Sequence, residues 1–274
     1  MSGAGSALRE DLTACRDLIR SIKPETWIIA ALAAALIGSW IWFSARLPPA
    51  FLPSPAETGD ALFDMLADRR GEFLNALGHT LGVFSTGLLA AVLTGGVLTW
   101  TMGAFPLAGR VLGPCFDFLG SIPNIALMPL IVAFLGLGAD AKIAVVFLAA
   151  LVPIVVSGHA ALRQVHPIYA EAAMNLGASR LTAWRRIVWP IALPPMVAGV
   201  RIGASHGLTA CIIAEIYTAM TGLGGLVAGY GSSFNMPRYF VVVIALAVIG
   251  ICVTTALRRL EARLRRRITF GKNS

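Results

Sequence analysis

The sequence predicts an all-α polytopic membrane protein with about six transmembrane helices, and three observations predict it. Hydrophobic residues make up 57% of the 274-residue chain and charged residues only 13%, whereas a soluble domain carries about 25% charge. Several apolar runs approach or exceed the ~20 residues that span a bilayer as helix. Each run is continuous rather than alternating over ~10 residues, which argues for helices and against a barrel.

The first run, 27–45, follows Arg9, Arg16, Arg20 and Lys23. The arrangement resembles a secretory signal, but the run exceeds the ~7–15 residues of a signal's apolar core, so an uncleaved first span is expected. After Leu52-Pro53-Ser54-Pro55, the stretch Glu57 to Phe73 sets Ala61, Leu62, Met65 and Leu66 at helical spacing against Asp60, Asp64, Asp68 and Arg69. It reads either as an amphipathic helix along the outer membrane surface or as a loop helix packed on the spans.

Further spans fall near 73–101, 113–136, 142–161, 191–218 and 239–257. Pro123 and Pro129 are expected to interrupt the third. A broken helix survives in a membrane where protein or a water-lined cavity satisfies its freed backbone groups. This span is therefore a candidate pathway wall, with a kinked core helix as the alternative. Gly199, Gly203 and Gly207 repeat every four residues in the fifth span and allow close packing, within one chain or between two copies.

Of the 22 lysines and arginines, only Arg46, Arg69, Arg70, Lys142 and Arg238 fall on one side of this arrangement, and Arg201 lies inside a span. The rest gather on the other side, Arg258 to Arg267 and Lys272 among them, which predicts cytoplasmic N and C termini. The domain reading is a cytoplasmic segment 1–26, a transmembrane domain 27–257 and a basic cytoplasmic tail 258–274. The tail is a topology signal or an anionic-lipid contact.

The cytoplasmic segment 162–190 is polar and arginine-bearing. His166-Pro167 opens a short helix, Ile168 to Leu176, and Gly177 can take the left-handed conformation that ends helices. Ser179 can cap a second helix, Arg180 to Val188. Pro190 and Pro194-Pro195 are expected to stop it before the fifth span. Such an elbow presents a knob to a partner, with Trp184, Arg185 and Arg186 supplying residue types enriched at binding hot spots. An ordinary surface loop is the alternative.

Asp117, Arg201 and Glu215 are intramembrane ionisable residues and hence candidate pathway or gate residues. Asp117 and Arg201 are expected near each other as an inner-gate or static structural pair, with Glu215 near the outer end. His206 is assigned no ligand role. Cys15, Cys115, Cys211 and Cys252 have no metal-ligand spacing and imply no disulfide framework. The sequence contains no phosphate-binding loop, nucleophile elbow, His-Glu-x-x-His pair or acid–base carboxylate cluster. No catalytic or metal site is expected, and the net charge of +8 reflects topology rather than nucleic-acid binding.

Ordered motifs extend over most of the chain beyond residue 50. They include Leu52-Pro53-Ser54-Pro55, Asn75-Ala76-Leu77 with Thr80-Leu81, Ser121-Ile122-Pro123 and Pro129-Leu130. Ala141-Lys142-Ile143, Glu171-Ala172-Ala173 with Gly177, Gly199-Val200-Arg201, Ala214-Glu215 and Gly222-Leu223-Gly224 follow. Together they resemble the nitrate/sulfonate/taurine group of ABC-importer permeases. Gly120 and Leu208 depart from it, standing where relatives often carry a basic and an aromatic residue.

The resemblance implies the type I importer, MetI-like permease fold in a bacterial inner membrane. Glu171, Ala172, Ala173, Gly177, Ser179, Trp184 and Arg185 would couple to a separate ATPase. Asp117, Pro123, Pro129, Arg201 and Glu215 would line or gate the pathway. It further implies a homodimer, two ATPase subunits holding ATP and Mg, and an external solute-binding protein, with no cofactor in this chain. The solute would be a small sulfonate, taurine, nitrate or carboxylate, although vitamin-like solutes occur among relatives. An ATP-independent secondary transporter or channel is the competing class. It would need inverted repeats or an ion relay, and neither is evident.

Overall fold

Five of the expected spans are single helices long and apolar enough to cross a membrane. The computed structural model describes residues 24–218 and 221–270. Arg9, Cys15, Arg16, Arg20, Lys23 and Lys272 lie outside the described residues. The helices are α1 (Pro24–Ser44), α2 (Pro55–Ala67), α3 (Arg70–Ala104), α4 (Pro106–Gly120), α5 (Met128–Leu135) and α6 (Ala139–Arg163). They continue as α7 (Ile168–Asn175), α8 (Arg180–Ala183), α9 (Trp189–Tyr217), α10 (Gly222–Ser232) and α11 (Met236–Phe270).

The third span is divided between α4, a 3₁₀ turn at Asn124–Leu127, and α5. Pro123 has no N–H and disfavours helical conformation at Ile122. The last carbonyls of α4 are instead closed by tight bonds from Ser121 N to Phe118 O (3.0 Å) and Ile122 N to Leu119 O (3.2 Å). Pro129 does not interrupt a helix as expected. It occupies the first turn of α5, where a missing N–H costs nothing.

A second correction concerns the prolines before the fifth span. Pro190, Pro194 and Pro195 do not stop the preceding helix. Helical turns run without a break from Arg180 to Tyr217, through a π turn at Trp184–Val188. In that turn the Trp189 N–H reaches back five residues to Trp184 O. The wider loop shifts the bonding pattern just before Pro190, which has no donor to offer.

Helix α6 is central, packed against both α3 and α9, and α11 packs on α9. The glycine face of α9 belongs to this packing. A Cβ at Gly199 would stand 2.6 Å from Ser157 Cβ, and one at Gly203 2.8 Å from Ala150 O. These glycines seat α9 against α6 of the same chain. None of α1's apolar window is buried, against half of that of α6. Helix α1 is tethered by Trp40, whose indole N–H donates to Pro53 O (2.8 Å) and whose ring stacks on Phe240.

Helix α2 is opened by a capping box, with Ser54 Oγ accepting from Glu57 N (3.2 Å) and Glu57 Oε2 accepting from Ser54 N (2.7 Å). It ends at Ala67, short of Phe73, which belongs to α3. Thr58 and Met65 bury one face on the spans while Phe63 stays 74% exposed. Arg238 Nη2 donates to Asp64 Oδ2 at 2.5 Å. That guanidinium holds the Asp64 carboxyl below its ordinary value of 3.8. A depressed folded-state value means the pair's contribution is complete above that ordinary value and disappears as pH falls through the folded one. The unfolding midpoint of Asp64→Asn in detergent is expected slightly below wild type at neutral pH, as befits a half-buried, solvent-screened pair. The two midpoints should converge in strong acid, and a constant offset would show that the ion pair is not the cause.

The final helix continues to Phe270, past the apolar run 239–257 and into the basic segment that follows. The run Ala256 to Arg266 is rich in Ala, Leu, Arg and Glu, all strong helix formers that prolong the helix past the apolar window.

Candidate functional site

The break at Pro123 opens a cavity of about 410 Å³ toward α6 and α9, lined by Pro123, Ala149, Ser205, His206, Thr209, Ala210 and Ile213. Ser205, His206 and Thr209 are all exposed on α9, with Thr209 three and four residues from the other two and so beside both. Pro123 was legible as a candidate. His206, dismissed on sequence, faces the same cavity.

Asp117 and Arg201 are not brought together. Asp117 lines another cavity, of about 470 Å³, with Arg110, His159 and Arg163. Arg201 Nε lies 3.9 Å from Glu261 Oε2 of α11. The long last helix brings Glu261, from the basic segment, alongside Arg201.

Glu215 is fully buried. Thr80 Oγ1 donates within 2.9 Å of both its oxygens, Gly224 N–H donates to Oε2 at 2.9 Å, and His79 Nδ1 lies 3.3 Å from Oε1. Thr80 Oγ1 also accepts from Leu223 N at 2.8 Å. Gly222 has φ +73°, and a Cβ there would lie 2.0 Å from Glu215 Oε1. The turn after α9 can approach the carboxylate because it carries glycine. Lys142, read on sequence as an external topology marker, is 2% exposed and donates to Thr221 Oγ1 at the edge of this cluster. Glu215 thus joins α3, α9 and the start of α10. Sequence reasoning named Glu215 but missed His79, Thr80 and Lys142 as its company. Thr80, Lys142 and Gly222-Leu223-Gly224 were visible only as scattered motif residues.

The elbow at 168–188 is built as its local sequence dictates. Gly177 has φ +89°, with Gly177 N bonded to Met174 O (2.9 Å) and Ala178 N to Ala173 O (3.0 Å). These two bonds form a complete Schellman motif. Ser179 Oγ accepts from Thr182 N at 3.2 Å, capping the next helix. Glu171, Ala172, Gly177, Ser179 and Arg185 are exposed, and Leu176 is 90% exposed at the tip. Ala173 is buried. Trp184 is not the outward anchor expected. It is 9% exposed and packs edge-on against Trp100 (5.1 Å) and beside Trp189 (5.4 Å). Its aromatic area ties the elbow to α3, leaving Arg185 and the apolar tip exposed.

The family described as binding-protein-dependent transport system inner membrane component matches residues 83–266. The chain belongs to that family. It is 31% identical over 248 residues to the taurine transport system permease protein TauC of Escherichia coli K12, covering 88% of this chain and 90% of the relative. It is 28% identical to the riboflavin transport system permease protein RibX of Chloroflexus aurantiacus, covering 90% and 93%. In fold it is similar to an inward-facing MetNI methionine ABC transporter chain, with a TM-score of 0.57 at 21% identity, covering 70% of this chain and 94% of that one. This member of the family is therefore a multi-pass membrane permease subunit of an ABC importer, a transport component rather than a catalyst. The fold is MetI-like, as its motifs imply.

Proposed function

We propose that two copies of this chain enclose a pathway for a small anion of the sulfonate or carboxylate class in a bacterial inner membrane. Both termini lie in the cytoplasm. Each copy rests on a separate ATPase through segment 162–190, and that ATPase holds the ATP and Mg. A solute-binding protein delivers the solute from the opposite side.

The observation that carries this reading is the continuous helix from Arg180 to Tyr217. One rigid body holds Arg185 of the elbow, the Ser205-His206-Thr209 face and Glu215. At ~1.5 Å rise per residue, its 38 residues reach roughly 57 Å, longer than the ~30 Å hydrocarbon core. A displacement imposed at the elbow when ATPases close on ATP therefore tilts the pathway face directly. Trp184, wedged against Trp100, carries the same displacement into α3. Alternating access follows from two such levers moving against each other. The taurine permease relative supports a sulfonate and the riboflavin relative pulls elsewhere, so the sequence of the pathway must decide between them.

The test is co-expression with the ATPase and binding protein encoded beside it, followed by measurement of ATP hydrolysis in proteoliposomes. Stable assembly and hydrolysis that rises with loaded binding protein are expected. Failure to assemble with any such ATPase, with solute flux independent of ATP, would favour the secondary transporter.

A further inference from the structure

The cavity at Pro123 has a definite chemistry. His206 is the eighteenth of the 29 residues of α9, so the Ser205-His206-Thr209 face sits a little past the middle of that span. Polar side chains at that depth are costly against lipid and belong on water-filled or solute-filled space. The backbone break at Pro123 opens onto the same space, and an irregular segment needs such a lining.

We infer that this cavity is a recognition site for a small oxyanion, a sulfonate or carboxylate, read by Ser205, His206 and Thr209. The inference deepens the proposed function and rests on its pathway assignment. Among the described residues, Ser205 Oγ and Thr209 Oγ1 each bond only to the carbonyl four residues earlier, at 3.2 Å, so either hydroxyl can turn its proton outward to an acceptor. His206 has no hydrogen-bond partner among the described residues, and its ring can donate as well. No Asp, Glu, Lys or Arg lines the cavity, so these hydrogen-bond donors, not a counter-charge, hold the oxyanion. Ala149, Ala210 and Ile213 offer apolar wall to a short carbon chain. The volume of about 410 Å³ lies within the ~300–1,000 Å³ range of small-molecule sites.

The experiment is ATP-driven uptake by the complete complex in proteoliposomes, with radiolabelled taurine, methanesulfonate, acetate and riboflavin offered separately. Uptake is normalised to assembled complex recovered. The wild type is expected to take up an oxyanion. His206→Ala and the double variant Ser205→Ala/Thr209→Val should each lower that uptake roughly tenfold, the scale of hydrogen bonds to a charged group. They should also shift the ratio of sulfonate to carboxylate uptake. His206→Gln, which keeps a donor, should recover part of the rate, and Ser85→Ala on α3 should behave as wild type.

Uptake confined to riboflavin overturns the site. So does oxyanion uptake whose rate and selectivity are unmoved in both cavity variants. If the variants lose only dimer assembly, with normal uptake per assembled complex, the face is a contact between copies and not a solute site. No ATP-driven uptake of any offered solute, with assembly and hydrolysis intact, rejects the proposed solute class and the site with it. Absent assembly instead rejects the importer arrangement itself.

Discussion

Replacing Glu215 by leucine is expected to remove most of the folded chain from detergent extracts. The side chain has no solvent access, and its two oxygens gather donors from α3 and α10, tying both to α9. Without them the Gly224 N–H and the Thr80 hydroxyl lose their acceptor inside the protein. An orphaned buried donor costs ~1–3 kcal/mol, and removing one member of a buried ionic cluster ~3–5 kcal/mol. Folded domains rarely hold more than ~5–15 kcal/mol in total. Glu215→Gln keeps the volume and one acceptor and should lose less.

The same cluster can be attacked from its other side. Gly222→Ala adds a Cβ 2.0 Å from Glu215 Oε1 at a residue with φ +73°, so its extracted yield and unfolding midpoint should fall with those of Glu215→Leu. A normal midpoint in either variant would show that the cluster does not hold α10 against α3.

Replacing Gly177 by valine is expected to uncouple hydrolysis from transport while leaving the transmembrane helices folded. A Cβ at Gly177 would meet nothing within 4 Å, so the whole effect is conformational, arising from φ +89°. A β-branched residue there costs ~1–3 kcal/mol of strain and is relieved by opening the Schellman turn, which moves the apolar tip at Leu176. Stimulation of hydrolysis by the binding protein should fall on the order of tenfold, with the unfolding midpoint nearly unchanged. Gly138 provides the control. It too has nothing within 4 Å of its Cβ, but its φ of −76° suits any residue. Full stimulation in Gly177→Val would remove the turn from the coupling path.

The elbow was legible because everything that makes it is local. A proline start, a glycine in the left-handed region and a serine cap act over a few residues, and the chain carries them in order. The reach of that elbow was not legible. A proline signals a broken helix, yet Pro123 breaks one, Pro129 begins one, and Pro190, Pro194 and Pro195 are absorbed. The difference lies in neighbouring turn bonds, above all the five-residue reach from Trp189 to Trp184. Trp184 was misplaced for a related reason. Its spacing puts it on the elbow, but only the packed position of Trp100 turns it inward.

The sequence alone determined the class of this protein. Apolar run length, the asymmetry of basic residues and an ordered set of motifs suffice for a polytopic permease, because bilayer thickness and backbone satisfaction leave few other solutions. Tertiary structure decided which distant residues meet. Thr80 and Glu215 are 135 positions apart, Arg201 pairs with Glu261 in place of Asp117, and His206 joins Pro123 around one cavity. Periodicity gives the face of a helix but not its neighbour, and the neighbour depends on how α3, α6, α9 and α11 pack.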